Sequence, residues 1–314
     1  MAPQINISPP LLNTSSPWAT TQSDLSNLYA LPSTGAVSTR TSFLTTGFPD
    51  DPSIHQHAFI SPSSSLNTYG YSPHPLPYYL TSIKSILAAS DQPQRKPFII
   101  SITGSDEEVV SCISLISKWT SENSIIAYAE INLSCPNIPD KPPPAYSSPA
   151  LCKYIASLKN LQATSEVDIV PIGVKTPPYT YQLQFDELIS AVEQYPGVIS
   201  FITATNTLGN SLFLTNDVDD GLKPVINSAA GTGVGGLAGE SIHPLSLGNV
   251  FTIRRMLDAS ANGDVKDIVI IGAGGVRDSE GYKRMRKAGA VAVGVGTAFG
   301  RDGIEVFDRI LKSD

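Results

Sequence analysis

From residue 97 to the C-terminus the chain alternates short apolar runs with longer amphipathic ones, and that alternation narrows the choice of fold more than any other feature. Residues 97–103 (PFIISIT), 126–133 (IAYAEINL), 169–175 (IVPIGVK), 198–203, 268–271 and 290–295 are brief and rich in Ile and Val, which reads as strand. Residues 107–119, 149–158, 182–194, 243–259, 279–288 and 304–312 read as helices. Upstream, residues 11–13 and 36–41 are weaker strands on either side of a helix over 22–29. Strand–helix–strand repeats imply parallel strands joined by crossover helices. Roughly eight such units predict a closed (β/α)8 TIM barrel, read as one domain over residues 1–314. An open doubly wound sheet is the alternative. Its glycine-rich turn belongs after the first strand, however, and here the glycines cluster after the last ones.

Two stretches exceed a minimal barrel. Residues 48–79 are rich in Pro, Ser and His and show little helical period, and residues 207–240 are polar and glycine-rich. Both follow strands, so both are expected as long loops on the face where barrel enzymes build their sites.

On that face the residue closing each strand matters most. Arg40, Asn132, Lys175, Asn206, the pair Gly274–Gly275 and the pair Gly296–Thr297 end successive apolar runs. Glycines in GAGGV (272–276) and GVGTAFG (294–300) let backbone N–H groups approach a phosphate, a recurrent use of the loops after strands seven and eight. Tight βα turns alone would also use glycine there. GTGVGG (231–236) reads equally well as a flexible loop. A lysine at the barrel mouth needs a negative or electron-rich partner. The asparagines offer both donor and acceptor, which suits a planar heterocycle, although either could simply cap a turn. Cys135 lies in a loop just past an apolar strand, between Ser134 and Pro136, where a thiol can exchange a proton with a substrate lying across the mouth. Cys112 and Cys152 sit in helical patterns and read as filler. None of the four histidines ends a strand, so none is assigned to catalysis.

Net charge is −7, which argues against nucleic acid or an anionic membrane as partner. The apolar fraction of 41% supports a large core, yet no run approaches the ~20 residues of a membrane span. Three scattered cysteines make no disulfide framework and no metal site, and the N-terminus shows no secretory pattern. A reduced, cytoplasmic setting is expected.

NLSCPNIPDKPPPAY (132–146) closely resembles the active-site loop of dihydroorotate dehydrogenases, in particular the cytosolic branch that uses fumarate. GVKTPPY (173–179), NTLGNSLF (206–213) and SLNTYG (65–70) resemble further motifs of that family, and the glycine segments resemble its phosphate-binding loops. The NLSCPN loop is specific, whereas the glycine segments are common to flavin barrels. The resemblance implies a homodimeric FMN enzyme of pyrimidine biosynthesis that oxidises dihydroorotate to orotate and passes the electrons to fumarate. Cys135 matches the general base. By similarity, Asn67, Asn132, Asn137, Asn206 and Thr207 hold the pyrimidine ring and carboxylate, with Arg40, Thr68, Tyr69, Gly70 and Tyr71 beside them. Lys175 matches a contact to the flavin ring. Gly236, Gly274, Gly275, Gly296 and Thr297 match the phosphate site, and Ser15, Arg40, Thr41, Asn132 and Thr205 match the rest of the FMN site.

The chain also departs from the family. Arg40 stands where a lysine is usual and Ser16 where a glycine is usual, and Tyr69 and YSPHP (71–75) replace smaller or more regular residues. An arginine keeps the charge but is longer and planar. These departures leave two alternatives: a related FMN oxidoreductase with a drifted substrate, and a phosphate-ligand barrel without redox chemistry.

Overall fold

The computed structural model describes residues 2–90, 96–135, 137, 143–217 and 221–312; Pro136 and residues 138–142 of the NLSCPNIPDKPPPAY run lie outside it. Eight parallel strands form the expected barrel: Leu11–Asn13, Val37–Ser38, Phe98–Ile102, Ala127–Asn132, Ile172–Thr176, Phe201–Ala204, Val269–Ala273 and Ala292–Val295. Numbered in that order, they pair as one–eight–seven–six–five–four–three–two. Strands one and two close the ring through a single bridge, Leu12 to Ala36. The Asn13 side chain completes that seam. Its Nδ2 donates to Ser38 O (2.7 Å) and its Oδ1 accepts from Ser38 N (2.9 Å), an amide standing in for a missing backbone ladder.

The crossover helices are Gln22–Ala30, Leu76–Ala89, Asp106–Asn123, Ser148–Thr164, Gln182–Gln194, His243–Ala259 and Ser279–Lys287, and Glu305–Leu311 follows strand eight. Their starts obey local rules. Ser105 accepts from Glu108 N while Glu108 accepts from Ser105 N, a capping box that fixes where the third helix begins.

One expectation fails. Residues 48–79 are not a featureless loop: they contain strands His57–Phe59 and Ser64–Asn67 and the first turn of helix Leu76–Ala89. That helix buries Leu76, Tyr79, Leu80, Ile83, Ile86 and Leu87, a clear helical spacing. It escapes notice because its first turn, LPYY, has the proline and aromatic content of the loop before it.

Residues 207–240 likewise hold strands. Leu208–Ser211 and Gly235–Gly239 join the two strands above in an antiparallel sheet ordered His57–Phe59, Ser64–Asn67, Gly235–Gly239, Leu208–Ser211. A separate hairpin, Leu214–Asp217 with Gly221–Pro224, carries the exposed Leu214 and Leu222.

The core has two layers. An outer cluster packs strands against helices, and an inner one (Leu12, Ala36, Ile99, Tyr128, Phe201, Ile271, Ala292) fills the lower barrel. The Tyr128 hydroxyl accepts from Asn6 N (2.9 Å) and donates to Asn6 O (3.1 Å), tying the N-terminal segment to that inner cluster. Along strand four the period of two aligns Tyr128, Glu130 and Asn132 on one side, so the interior turns from aromatic to acid to amide toward the mouth. Buried Glu130 is satisfied by the hydroxyls of Ser101 (3.2 Å) and Thr203 (2.7 Å).

Candidate active site

A cavity of about 950 Å³, open to solvent, occupies the C-terminal mouth. Its walls come from strand ends: Ser15, Arg40, Thr41, Asn132, Cys135, Lys175, Thr205, Asn206, Thr207, Gly274, Gly275, Gly296 and Thr297. The covering sheet and adjoining loops add Asn67, Tyr69, Gly70, Tyr71 and Asn137. One fold-level device thus gathers residues from Ser15 to Thr297.

Two asparagine pairs organise one end. Asn206 Nδ2 donates to Asn132 Oδ1 (3.3 Å) and to Ser134 Oγ (3.1 Å), while Asn132 Nδ2 donates to Thr41 Oγ1 (2.9 Å). Thr41 Oγ1 also meets Ser15 Oγ (3.0 Å) and Ser101 Oγ (2.9 Å), and Ser101 leads to Glu130. In the second pair, Asn137 Nδ2 donates to Asn67 Oδ1 (3.3 Å) and Tyr69 O (2.8 Å), and Asn67 Nδ2 donates to Gly236 O (3.2 Å). Each amide is oriented by a neighbour, so the cavity presents a preset pattern of donors and acceptors.

Cys135 sits between these pairs. Burial pushes its thiol pKa up; the Asn137 backbone N–H and the charges of Lys175 and Arg40 pull it down, and burial wins. Lys175 is buried, and its ammonium reaches Ser15 O at 3.4 Å. A buried cation so lightly held is a strong attraction for an electron-rich ligand.

Arg40 is held differently. Its guanidinium grips Asp50 (2.9 and 3.4 Å), touches Thr20 Oγ1 (3.3 Å) and Gly70 O (3.4 Å), and lies 5.5 Å from the Tyr69 ring centroid. The Tyr69 hydroxyl meets His57 Nδ1 at 2.9 Å. Burial lowers the His57 pKa and is the main cause that raises that of Tyr69.

The other end is made of backbone. Gly274 and Gly275 have φ of +137° and +71°, and a Cβ on Gly275 would stand 2.6 Å from Gly239 O. Thr297 opens a short helix with Gly296 as its cap. His243 steadies this loop. Arg284 Nε donates to His243 Nε2 (3.2 Å), which places the ring proton on Nδ1, and Nδ1 donates to Gly274 O (2.7 Å).

Two site residues read from the sequence do not line the cavity. Thr68 turns its hydroxyl to Ile54 O (2.7 Å) and Asn227 O (2.9 Å), which ties the covering loops together. Gly236 supports the wall through its carbonyl to Asn67, and a Cβ there would meet Thr207 Oγ1 at 2.2 Å. Sequence reasoning missed Thr14, Pro17, Trp18, Ser65 and Gly239, all in the wall, and Asp50 and His243 behind it. Residues 14–18 could have been found, since they directly follow strand one; Asp50, Ser65 and Gly239 depend on long-range pairing.

The family profile "Dihydroorotate dehydrogenase" matches residues 4–313. Dihydroorotate dehydrogenase (fumarate) of Trypanosoma cruzi is 30% identical over 303 residues, covering 96% of this chain and 87% of that protein. The Trypanosoma brucei brucei counterpart is 32% identical over 255 residues, covering 81% and 73%. Dihydroorotate dehydrogenase A (fumarate) of Lactococcus lactis is 30% identical over 249 residues, covering 79% and 72%. In fold, the ligand-free enzyme of Eimeria tenella superposes with a TM-score of 0.71 at 16% identity, covering 98% of this chain and 85% of that one. With barrel, mouth cavity and full-length match in agreement, this chain belongs to the dihydroorotate dehydrogenase family of flavin-dependent oxidoreductases.

Proposed function

We propose that this chain oxidises (S)-dihydroorotate to orotate with FMN as cofactor and fumarate as electron acceptor. The observation that carries this reading is the convergence, in one cavity, of Cys135 and four oriented asparagines at one end with a glycine cradle at the other.

The residues present fit FMN. The cradle of Gly274, Gly275 and Gly296, with the N-terminus of helix Thr297–Asp302, suits its phosphate. Ser16 Oγ, in the cavity wall, is buried without a partner among the described residues, a polar group for which a ligand gives a reason. Lys175 would hold the isoalloxazine edge, with Ser15, Thr41 and Thr205 around it. When bound, FMN supplies the acceptor for the hydride leaving C6 of the substrate, and fumarate restores it.

This chain's own residues perform the remainder. The Cys135 thiolate takes the C5 proton, so that C5–H and C6–H are lost and the C5=C6 bond forms. Asn67, Asn132, Asn137 and Asn206 exchange their mutual hydrogen bonds for bonds to the pyrimidine ring and carboxylate, with Thr207 beside them. The covering sheet supplies Asn67 to this end of the cavity.

The relatives' names support fumarate, and the branch resemblance supports a cytosolic homodimer. The match over residues 4–313 supports a single barrel domain. Among the described residues no helix is long and apolar enough to cross a membrane.

The test is anaerobic addition of dihydroorotate. The yellow protein should bleach, and fumarate should restore the colour. A second reading, a drifted substrate, draws on the Arg40–Asp50 pair and on Tyr69 in the cavity wall. A yellow protein that dihydroorotate does not bleach would favour it. A colourless protein that takes up no FMN would favour a non-redox barrel.

A further inference from the structure

The peptide that joins Gly274 to Gly275 has no orientation of its own. Both residues sit at positive φ (+137° and +71°), and neither has a Cβ to decide which way the peptide between them faces. In a trans peptide the carbonyl oxygen and the following N–H point in opposite directions. Turning this one plane over would therefore exchange the Gly275 N–H for the Gly274 oxygen on the cavity side. A group outside the loop must make the choice.

The choice is made from behind. His243 and Ser246, in the first turn of helix His243–Ala259, pack against the two glycines: a Cβ on Gly275 would lie 2.8 Å from His243 Cβ, and one on Gly274 2.0 Å from Ser246 Oγ. The buried His243 ring donates from Nδ1 to Gly274 O at 2.7 Å. With the carbonyl drawn toward the helix, the Gly275 N–H points the other way, to the side on which both glycines border the cavity. Among the described residues nothing accepts from that N–H. The donor itself is fixed by a further residue. Arg284, on helix Ser279–Lys287, donates from Nε to His243 Nε2 at 3.2 Å. An arginine Nε can only donate, so Nε2 is the bare nitrogen and Nδ1 carries the proton. Without Arg284 the ring would be free to carry its proton on Nε2 and to face Gly274 O with a lone pair.

Resting on the reading of the glycine cradle as the FMN phosphate site, we propose that His243 and Arg284 are positioning residues that lock the Gly274–Gly275 peptide with its N–H toward the phosphate. The pair thereby sets a preference for a flavin that carries a phosphate over one that does not. His243 does not line the cavity and acts only through the peptide. The lock has two effects of the same sign: it presents a donor to the phosphate, and it keeps the Gly274 oxygen from facing the phosphate oxygens.

The experiment compares two flavins that differ only in that phosphate. The full chain, freed of flavin, is titrated with FMN and with riboflavin, and binding is followed by quenching of flavin fluorescence. Wild type should bind FMN much more tightly. His243→Phe keeps a ring but removes the donor; its affinity for FMN should fall about 10- to 100-fold while that for riboflavin stays within about twofold. His243→Asn places an amide N–H near the position of Nδ1 and should recover most of the loss. Arg284→Met should weaken FMN about three- to tenfold. Added to His243→Asn it should change nothing further, because an amide has no tautomer to fix. An equal loss for both flavins in His243→Phe, no loss at all, or no recovery in His243→Asn overturns the proposal. Should His243→Phe fail to fold, Arg284→Met decides alone, since an unchanged preference for FMN contradicts it. A wild-type chain that binds neither flavin, or binds riboflavin as tightly as FMN, overturns the parent reading together with this one. A wild-type preference for FMN that His243→Phe retains in full overturns this one alone.

Discussion

The two ends of the cavity are built from different material. The cradle end consists of backbone: Gly274, Gly275, Gly296 and the first turn at Thr297, steadied by His243. The opposite end consists of side chains: four asparagines, Cys135, two tyrosines and Arg40. A backbone site is intolerant, because its glycines have no side chain to vary and a Cβ collides with fixed atoms. A side-chain site can be re-specified one residue at a time. Of the residues read from the sequence as departing from the family pattern, Arg40, Tyr69 and Tyr71 line the side-chain end, and Ser16 lies in the wall after strand one, outside the glycine cradle.

The largest expected effect tests the chemistry of the side-chain end. Cys135→Ser should keep its flavin, because the cradle is untouched, and lose about 10²–10⁴-fold in flavin reduction by dihydroorotate. Stopped-flow bleaching measures it; wild-type rates would remove Cys135 from the mechanism. Next comes pH. The base must be a thiolate, and burial raises the thiol's pKa, so less of it is ready at neutral pH than for a free cysteine. Wild-type flavin reduction should therefore climb about tenfold per pH unit below that raised pKa and level off above it. A flat profile from neutral pH upward would mean that the cations, not burial, set the thiol.

The cradle end is tested by Gly275→Ala. At φ of +71° with Gly239 O 2.6 Å from the new Cβ, the substitution costs about 1–3 kcal/mol of strain. Flavin content after gel filtration should fall about tenfold or more, while any flavin retained should still be reduced at the wild-type rate. Equal loss of both would show that the ends are not separable. The smallest effect belongs to Arg40→Lys. A lysine cannot grip both Asp50 oxygens and Gly70 O together, so kcat/KM for dihydroorotate should drop a few-fold, on the order of 1 kcal/mol, with flavin content unchanged. A rise in turnover would show that the wall is not built around the guanidinium.

Much of this molecule was legible from local pattern. The helix over residues 182–194 matches Gln182–Gln194, and the strand-end residues Arg40, Asn132, Lys175 and Gly274 all reach the cavity. The family resemblance set Thr68 beside the substrate residues, yet it faces away from Asn67 and Tyr69, because neighbouring residues in extended chain project to opposite sides. Local pattern missed helix Leu76–Ala89, whose first turn resembles the loop before it.

The sequence by itself determined the alternation of strands and helices, and with it the parallel barrel, because a period of two or of 3.6 is a property of a few consecutive residues. It likewise determined where glycine stands after the late strands. Only the tertiary structure decided how the mouth is covered. Asn67 meets Gly236 across 169 residues, Arg40 meets Asp50 through a loop of no regular period, and Asn13 closes the barrel by binding Ser38 in place of backbone. Such contacts form because the barrel brings distant segments within hydrogen-bonding distance and buries their polar groups, which must then find partners; no stretch of chain read alone carries that requirement.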